Sequence, residues 1–242
     1  MSNLYLVRHG QAGTRDDYDS LSPLGRRQAR LLGEHFVALG LEFGAAFVGS
    51  MARQRQTARE VARAYAEAGA AFPELVEEGG WDEFDLHGVY REFAPRLCED
   101  DEEFRQDYEA MRREVEQSAR DPDAEVHRRW RPCDTKIVEA WVAGRYPYAG
   151  ETWEQFRDRV AACRAPADET RRGTNVVVFT SATPAAVWAG RALGLTDERV
   201  RAAAGVLRNT FYTVLHLRGG QPRLYSFNEV PHLTSPGLRT HR

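Results

Sequence analysis

The sequence contains few cysteines, a single lysine and no long apolar run. Its three cysteines, Cys98, Cys133 and Cys163, are an odd number without metal-site spacing, which favours a reducing compartment and no structural disulfides. No apolar run approaches the length of a membrane-spanning helix. The first residues lead almost directly into a predicted strand, which leaves no room for a signal peptide. These features predict a cytoplasmic protein without a membrane partner.

The charge of the chain is close to balanced. Its 242 residues include 33 basic and 36 acidic ones, for a formal net charge of −3. This balance gives no reason to expect a nucleic-acid partner. Because Lys136 is the single lysine, we expect any anion site to consist of arginines. The length suits one large α/β domain, or a domain with an insertion.

A short buried strand is predicted from Leu4 to Val7, because this apolar run is continuous. Arg8, His9 and Gly10 follow it, at the end of the strand where α/β sheets place their ligand sites. Arg8 offers a planar set of donors for phosphate oxygens, and His9 offers a nitrogen that can attack phosphorus. Gly10 permits a sharp turn or a close approach. An ordinary hydrogen-bonded core histidine is the alternative.

A second anion site is predicted at the start of a helix. One helix is predicted to begin at the N-cap Ser22, and another to run from the N-cap Ser50 through Ala68. Arg53 lies in the first turn of the second helix, where the helix dipole disfavours a cation. An anion held between Arg53 and the free backbone donors would explain this position. A solvated surface arginine would explain it equally well.

The segment GGWDEFDLHG combines aromatic and acidic residues. Its polar members after Trp81 are Asp82, Glu83, Asp85 and His87. A carboxylate next to aromatic groups has a raised pKa and can donate a proton. Glu83 is the best choice for such a general acid, and an exposed loop carboxylate is the alternative.

A change in composition between about residues 89 and 150 predicts a helical cap within a single domain that spans residues 1–242. A charged helix is predicted over residues 99–120 and another near 135–143. The basic cluster of His127, Arg128, Arg129 and Arg131 is interpreted as a solvated face, with contact to a phosphorylated substrate as the alternative. After the cap, a buried strand is predicted over residues 175–179, a helix from Pro184, and two edge strands at 210–217 and 223–227.

Five segments together resemble the histidine phosphatase superfamily, which has the phosphoglycerate mutase-like fold. They are LVRHGQ, YDSLSPLGRRQA, SMARQRQTA, GETWEQFRDRV and FNEVPHL. The resemblance spans the core and is interrupted by the cap. It implies a three-layer α/β/α fold with a mostly parallel sheet flanked by helices. The loop after His9 resembles the phosphatase branch, since it lacks the tryptophan-asparagine and glycine-tryptophan features of the mutases.

The resemblance also implies roles for the site residues. His9 would become phosphorylated, Arg8 and Arg53 would hold the phosphoryl oxygens, and Glu83 would act as the general acid. Gly10 and Gln11 belong to the same phosphate-binding signature. No metal or cofactor is expected if the arginines supply the positive charge. The implied partner is a small phosphorylated substrate or inorganic phosphate.

One residue departs from the family pattern. Members of the family have a second histidine after the strand that matches residues 175–179, whereas this chain has Ser181. A hydroxyl can bind a phosphoryl oxygen but adds no positive charge, and losing one stabilising group costs about 10²- to 10³-fold in rate. No other histidine obviously substitutes for it: His87 could approach from the loop after Glu83, whereas His216 is predicted on an edge strand and His232 in the tail.

Two functions therefore remain open from the sequence. The first is a phosphomonoester hydrolase that works through phospho-His9, with reduced activity. The second is a weakly active or inactive phosphate-binding or regulatory protein. A phosphoglycerate mutase fits less well. A homodimer through the carboxyl-terminal edge strand is also open.

Overall fold

The computed structural model describes residues 2–15, 17–121, 124–163, 174–218 and 221–241. A six-stranded sheet lies at the centre of this part of the chain, in the order β3-β2-β4-β1-β5-β6. The strands are β1 (Ser2–Arg8), β2 (Phe43–Val48), β3 (Leu75–Glu77), β4 (Asn175–Thr180), β5 (Tyr212–Arg218) and β6 (Gln221–Glu229). The first four pair in parallel, and β5 and β6 extend the sheet with antiparallel pairs. The mixed α/β fold predicted from the sequence is confirmed.

Helices flank the sheet. Those in the described residues are α1 (Pro23–Ala38), α2 (Ala52–Glu67), α3 (Leu86–Asp100), α4 (Glu102–Gln117), α5 (Glu125–Arg128), α6 (Pro132–Val142), α7 (Trp153–Ala162), α8 (Ala182–Leu193) and α9 (Asp197–Val206). None of them is long and apolar enough to cross a bilayer. Short 3-10 helices cover Gly79–Trp81 and Pro236–Leu238.

The buried strand β1 contributes to two apolar cores, because alternate side chains face opposite sides of the sheet. Tyr5 and Val7 pack against residues of α1 and α2, such as Phe36 and Val61. Leu4 and Leu6 belong to the core on the other face, which includes residues of α7, α8 and the predicted cap segment. Both faces of β1 are thus covered, as its continuous apolar sequence predicts.

The predicted cap segment contains the helices α3 to α6. Its side chains Phe104, Ile137 and Trp141 are almost fully buried and share one core with Leu4 and Leu6 of the sheet. The helices predicted over 99–120 and near 135–143 correspond to α4 and α6, while α3 was not predicted. The role of this segment as an inserted cap stays a prediction.

An ion pair and hydrogen bonds connect the cap segment to the loop that follows β1. Arg15 forms a bidentate ion pair with Asp134, at 2.7 and 3.1 Å, and its Nε donates to the carbonyl oxygen of Val126 at 2.6 Å. Tyr90 also donates to Asp134. Burial alone would raise the pKa of Asp134, but the hydrogen bonds and the charge of Arg15 outweigh burial, so the pKa is lowered.

The basic cluster in this segment is not a uniformly solvated face, so that interpretation was wrong in part. His127 is buried, and its Nδ1 accepts from the backbone N–H of Arg15 at 3.3 Å. Arg128 donates to the side chain of Gln11 at 3.1 Å. Arg129 is exposed, as expected for a solvated face.

Two predicted helix starts also differ from the structure. Met51, rather than Ser50, is the N-cap of α2, because the Ser50 hydroxyl and backbone N–H both donate to Asp82. Helix α8 begins at Ala182, two residues before the predicted Pro184. The N-cap prediction for Ser22 was right: its Oγ accepts from Gly25 N at 3.0 Å.

Candidate functional site

The parallel strands β1 and β4 end at the same level of the sheet. Arg8 pairs with Thr180 in register, and the backbone N–H of His9 donates to the carbonyl oxygen of Thr180 at 3.0 Å. His9 and Ser181, the next residue of each strand, therefore follow the strands side by side. The sequence prediction placed both strand ends at one site, and the register agrees with it.

His9 is a buried neutral imidazole, and both of its ring nitrogens have hydrogen-bond partners. Its Nδ1 lies 2.8 Å from the carbonyl oxygen of Gly10, and its Nε2 lies 3.2 Å from Nε of Arg53. Since an arginine nitrogen only donates, Nε2 is the acceptor and Nδ1 carries the proton. Burial first, and then the charges of Arg53 and Arg8, hold the pKa of His9 well below its ordinary value. Nε2 is thus the unprotonated nitrogen, which carries the lone pair.

Arg8 is buried beside His9 and is held by carbonyl oxygens. Its Nη1 donates to the backbone of Leu207 and, at 2.8 Å, to that of His241. Its Nε has no hydrogen-bond partner among the described residues. Burial lowers the pKa of the guanidinium, which nevertheless stays charged. A buried arginine with an unused donor is suited to bind an anion.

Arg53 lies in the first turn of α2, as predicted, and an anion does lie next to it. That anion is the carboxylate of Asp19, which accepts from Nη1 of Arg53 at 3.0 Å and from the backbone N–H of Ala52 at 3.1 Å. The ring of Tyr18 lies 5.0 Å from the guanidinium carbon. Arg53 is only 5% exposed, which rules out the solvated-arginine alternative.

Glu83 is the acidic residue of GGWDEFDLHG that lines the cavity next to His9. Its Oε2 accepts from the backbone N–H of Thr183 at 3.1 Å. Burial raises the pKa of Glu83, although the hydrogen bonds with Thr183 and the charge of Arg53 oppose the shift. Its acidic neighbours have structural contacts instead: Asp82 accepts from Ser50, and Asp85 caps α3.

Ser181 follows β4 but points away from this arrangement. The residue is fully buried, and its Oγ accepts from Nε2 of Gln54 at 2.9 Å. The next two residues, Ala182 and Thr183, line the cavity, whereas Ser181 does not. Its predicted contact with phosphate stays a prediction.

Gly10 and Gln11 connect the site to α1. A Cβ atom on Gly10 would lie 2.3 Å from the carbonyl oxygen of Gly25, so the required close approach is to the backbone of α1. The backbone N–H of Gln11 donates to Gln28 at 2.8 Å, and its side-chain oxygen accepts from Ser22 at 2.8 Å. Neither residue lines the cavity in this arrangement, and their roles as phosphate ligands stay predictions.

A cavity of about 120 Å³ lies next to His9. What we call its charged wall, after the two arginines, consists of Arg8, His9, Arg53 and Glu83. The apolar side chains that we call its apolar wall are Phe84, Leu86, Trp130, Val138, Trp153 and Ala204. The polar residues Tyr18, Thr135, Thr183 and Arg201 also line the cavity. Four of the predicted site residues are thus brought together at one cavity. Among the described residues, no three His, Cys, Asp or Glu side chains are grouped to hold a metal ion.

The other histidines that the sequence raised lie elsewhere. His87 lines a second cavity of about 510 Å³ and does not face His9. The ring of His216 is hydrogen-bonded to Asn3 at 2.7 Å, which fits its predicted place on an edge strand. His232 is buried and contacts Thr210 at 3.0 Å. None of them takes the position expected of a second site histidine.

Sequence reasoning missed Tyr18, Asp19 and Thr183 as neighbours of the site. Tyr18 and Asp19 begin the segment YDSLSPLGRRQA, which resembles the family, but no local pattern identifies the partner of each. The small hydroxyl residues after the strand at 175–179, Thr183 among them, indicate an anion site at a helix start, but the contact of Thr183 with Glu83 uses the backbone N–H. The helix start itself was the usable signal, since its first N–H groups lack partners within the helix.

The sequence model of the histidine phosphatase superfamily (branch 1) matches residues 4–144 and 121–230. A curated relative, the serine/threonine-protein phosphatase Pgam5, mitochondrial, from Caenorhabditis elegans, is 28% identical over 94 residues. This match covers 34% of the present chain and 33% of the relative. The chain thus matches about a third of the length of that protein.

Solved structures match over nearly the whole chain. YhfR from Bacillus stearothermophilus has a TM-score of 0.64 at 17% identity, covering 96% of this chain and 99% of its own. The alpha-ribazole phosphatase from Shigella flexneri has a TM-score of 0.60 at 15% identity, covering 94% and 96%. A phosphoglycerate mutase from Bacillus anthracis has a TM-score of 0.57 at 16% identity, covering 96% and 94%. Since a phosphatase and a mutase share this fold, the fold alone does not separate their activities.

Proposed function

Because the chain belongs to the histidine phosphatase superfamily, we propose that it hydrolyses phosphate monoesters through a phosphohistidine on His9. The observation that carries this proposal is the state of His9. Its neutral imidazole presents Nε2, with a lowered pKa, to a cavity that also contains two arginines and a carboxyl group. The phosphatases among its relatives support the same reaction class.

In the first step, Nε2 of His9 attacks phosphorus and the ester P–O bond breaks. Nε of Arg53 now donates to Nε2 and must transfer its hydrogen bond to a phosphoryl oxygen when the ester binds. Arg8 and Arg53 stabilise the charge on the transferred group, so no metal is needed for this part of the reaction. Glu83 donates its proton to the leaving oxygen, and an alcohol departs.

In the second step, Glu83 is a carboxylate and accepts a proton from water. The resulting hydroxide attacks the phosphohistidine, the P–N bond breaks, and inorganic phosphate leaves. His9 is then neutral and Glu83 protonated, as at the start. The raised pKa of Glu83 favours its protonated form, and the lowered pKa of His9 favours its neutral, nucleophilic form. Both pKa shifts therefore fit this cycle.

The second candidate is a phosphate-binding or regulatory protein with little turnover. Ser181 favours it, because this residue stands at the place of the family's second histidine and its hydroxyl is held by Gln54. The mutase alternative lacks such a supporting observation. The cytoplasmic location and the homodimer are untested proposals.

The test is release of phosphate from p-nitrophenyl phosphate at mildly acidic and neutral pH, with wild type beside His9→Ala. We expect turnover that falls to background in His9→Ala, and an acid-labile phosphoenzyme that only the wild type forms. His87→Ala is the matched control and should keep both, because His87 lines the other cavity. Turnover that persists in His9→Ala would contradict the phosphohistidine, and none in wild type would favour the binding protein.

A further inference from the structure

The two walls of the cavity next to His9 differ in chemistry. The charged wall provides the groups that handle the phosphoryl group, whereas the apolar wall faces the space left for the rest of an ester. Trp153 and Phe84 are almost completely buried, and Trp130, Leu86 and Val138 complete an apolar surface around that space. Such a surface gains free energy from an apolar group and loses free energy by desolvating a charge.

Among the described residues, the lining contains one further cation outside the charged wall, and this cation is already paired with a carboxylate. Arg201 is the additional cation in the lining, and its Nη2 is paired with Glu139 at 2.8 Å. A carboxylate on the leaving group would have to compete with Glu139 for this arginine. It would also give up its water next to the apolar wall.

The size of the cavity limits the group further. Its volume is about 120 Å³. An apolar protein cavity of about 150 Å³ binds benzene, and this smaller volume must also hold the phosphoryl group, so the organic group is at most about one ring in size. Adjacent rings such as Trp130 and Phe84 also favour edge or stacked contacts with an aromatic guest.

We propose that the preferred substrate is a phosphate monoester of an uncharged apolar alcohol, about the size of one aromatic ring. The phosphoryl group contacts the charged wall and the ring contacts the apolar wall. This inference rests on the proposed function, because it assigns the phosphoryl group to the His9 side of the cavity. It names a substrate class that the reaction alone does not determine.

Binding of phosphonates tests this preference without turnover, because their C–P bond is not hydrolysed. Phenylphosphonate, methylphosphonate and phosphonoacetate are compared by calorimetry on the wild-type protein. We expect phenylphosphonate to bind about tenfold or more tightly than methylphosphonate, since burying a ring removes apolar surface from water. Phosphonoacetate, which adds a carboxylate instead of a ring, should bind no more tightly than methylphosphonate.

A pair of variants in α9 locates the ring. Ala204 lines the cavity, whereas Ala202 on the same helix is exposed and outside it. Ala204→Phe should abolish the preference for phenylphosphonate over methylphosphonate, because its ring occupies the space next to the apolar wall. Ala202→Phe should keep the wild-type preference. Val138→Thr, which preserves shape but adds a hydroxyl, should weaken the preference severalfold if Ala204→Phe fails to fold.

The outcomes separate this inference from the proposed function. Equal binding of phenyl- and methylphosphonate, or tighter binding of phosphonoacetate, would overturn the inference while leaving a phosphatase intact. A ring preference that survives in both Ala204→Phe and Val138→Thr would overturn it as well. A ring preference without His9-dependent turnover would overturn only the proposed reaction. Failure of all three phosphonates to bind would overturn both.

Discussion

The ends of β1 and β4 are neighbours in the sheet but carry different chemistry. β1 delivers Arg8 and His9, which line the cavity. β4 delivers Ser181, whose hydroxyl faces Gln54 instead. The two strands pair residue by residue up to Arg8 and Thr180, so the positions of their backbone ends do not explain the difference. A strand end brings a residue to the site, but the contacts of its side chain decide whether it takes part.

The positive charge of the site accordingly comes from elements on either side of β4, and none of it from the end of β4 itself. Arg8 belongs to β1 and Arg53 to α2, and β4 contributes no charged side chain at its end. Part of this charge is already balanced by Asp19. We call the residues that line the cavity around His9, together with their partners, the active side, and Ser181 after β4 the silent side. The contrast can be tested by removing groups from the active side and by changing Ser181.

The largest effect is expected on the active side, from Glu83→Gln. An amide cannot donate the proton that a poor leaving group needs, so kcat for phenyl phosphate should fall by about 10²- to 10⁴-fold. The loss should be smaller with p-nitrophenyl phosphate, whose leaving group needs little protonation. Wild-type kcat/KM for phenyl phosphate should decline as the pH rises through the raised pKa of Glu83, and this limb should vanish in the variant.

Asp85→Asn is the matched control for that experiment. Asp85 caps α3 and does not line the cavity, so its variant should keep both the rate and the pH profile. Equal losses with the two aryl phosphates would show that Glu83 is not the general acid.

On the silent side, Ser181→His tests whether an imidazole can enter the cavity from β4. The site of the hydroxyl is fully buried, so a larger ring must displace Gln54. We expect the free energy of unfolding to fall by about 1–3 kcal/mol, measured with urea, and kcat to gain nothing. A kcat that rises by about 10²-fold would instead show that only the missing histidine limits the wild type.

Asp19→Asn sharpens the comparison by freeing charge on the active side. The Asp19 carboxylate is 58% exposed, so its pair with Arg53 is worth no more than about 1 kcal/mol. Removing it should tighten inorganic phosphate binding by up to about fivefold at low salt, as measured by calorimetry. Asp17→Asn makes the same charge change in the same loop without contact to Arg53. An equal gain in both variants would attribute the effect to net charge.

The smallest effect is expected from Ser181→Ala. The lost hydrogen bond with Gln54 should lower the free energy of unfolding by about 1 kcal/mol. The hydroxyl does not line the cavity, so kcat/KM should stay within about twofold of wild type. A loss of 10²-fold or more would make Ser181 a phosphate ligand after all.

Local sequence signals predicted much of the fold and of the active side of the site. The apolar run of β1, the Ser22 N-cap and the place of Arg53 in its helix depend on neighbouring residues, and all three agree with the structure. Helix α9 was missed because its apolar periodicity is weak. The N-cap of α2 was misassigned because Ser50 binds Asp82, a partner that no local pattern reveals.

The same limit applies within the site. Ser181 and Gln54 are 127 residues apart, and Arg53 and Asp19 are 34 residues apart. Each pair forms only because strands and helices bring distant residues together. Sequence reasoning therefore predicted which residue types reach the sheet edge, but it did not predict which of them would be engaged by another side chain.

The carbonyl oxygen of His241 that accepts from Arg8 has a consequence for the order of events during synthesis. Arg8 emerges from the ribosome early, yet one of its partners lies 233 residues later in the chain. Gln28 likewise donates to the backbone of Leu238 and to Thr240. Arg8 therefore gains its contact with His241 only after nearly all of the described chain has been translated. A nascent chain that stops before residue 241 would carry His9 but would lack one of the carbonyl oxygens that hold Arg8.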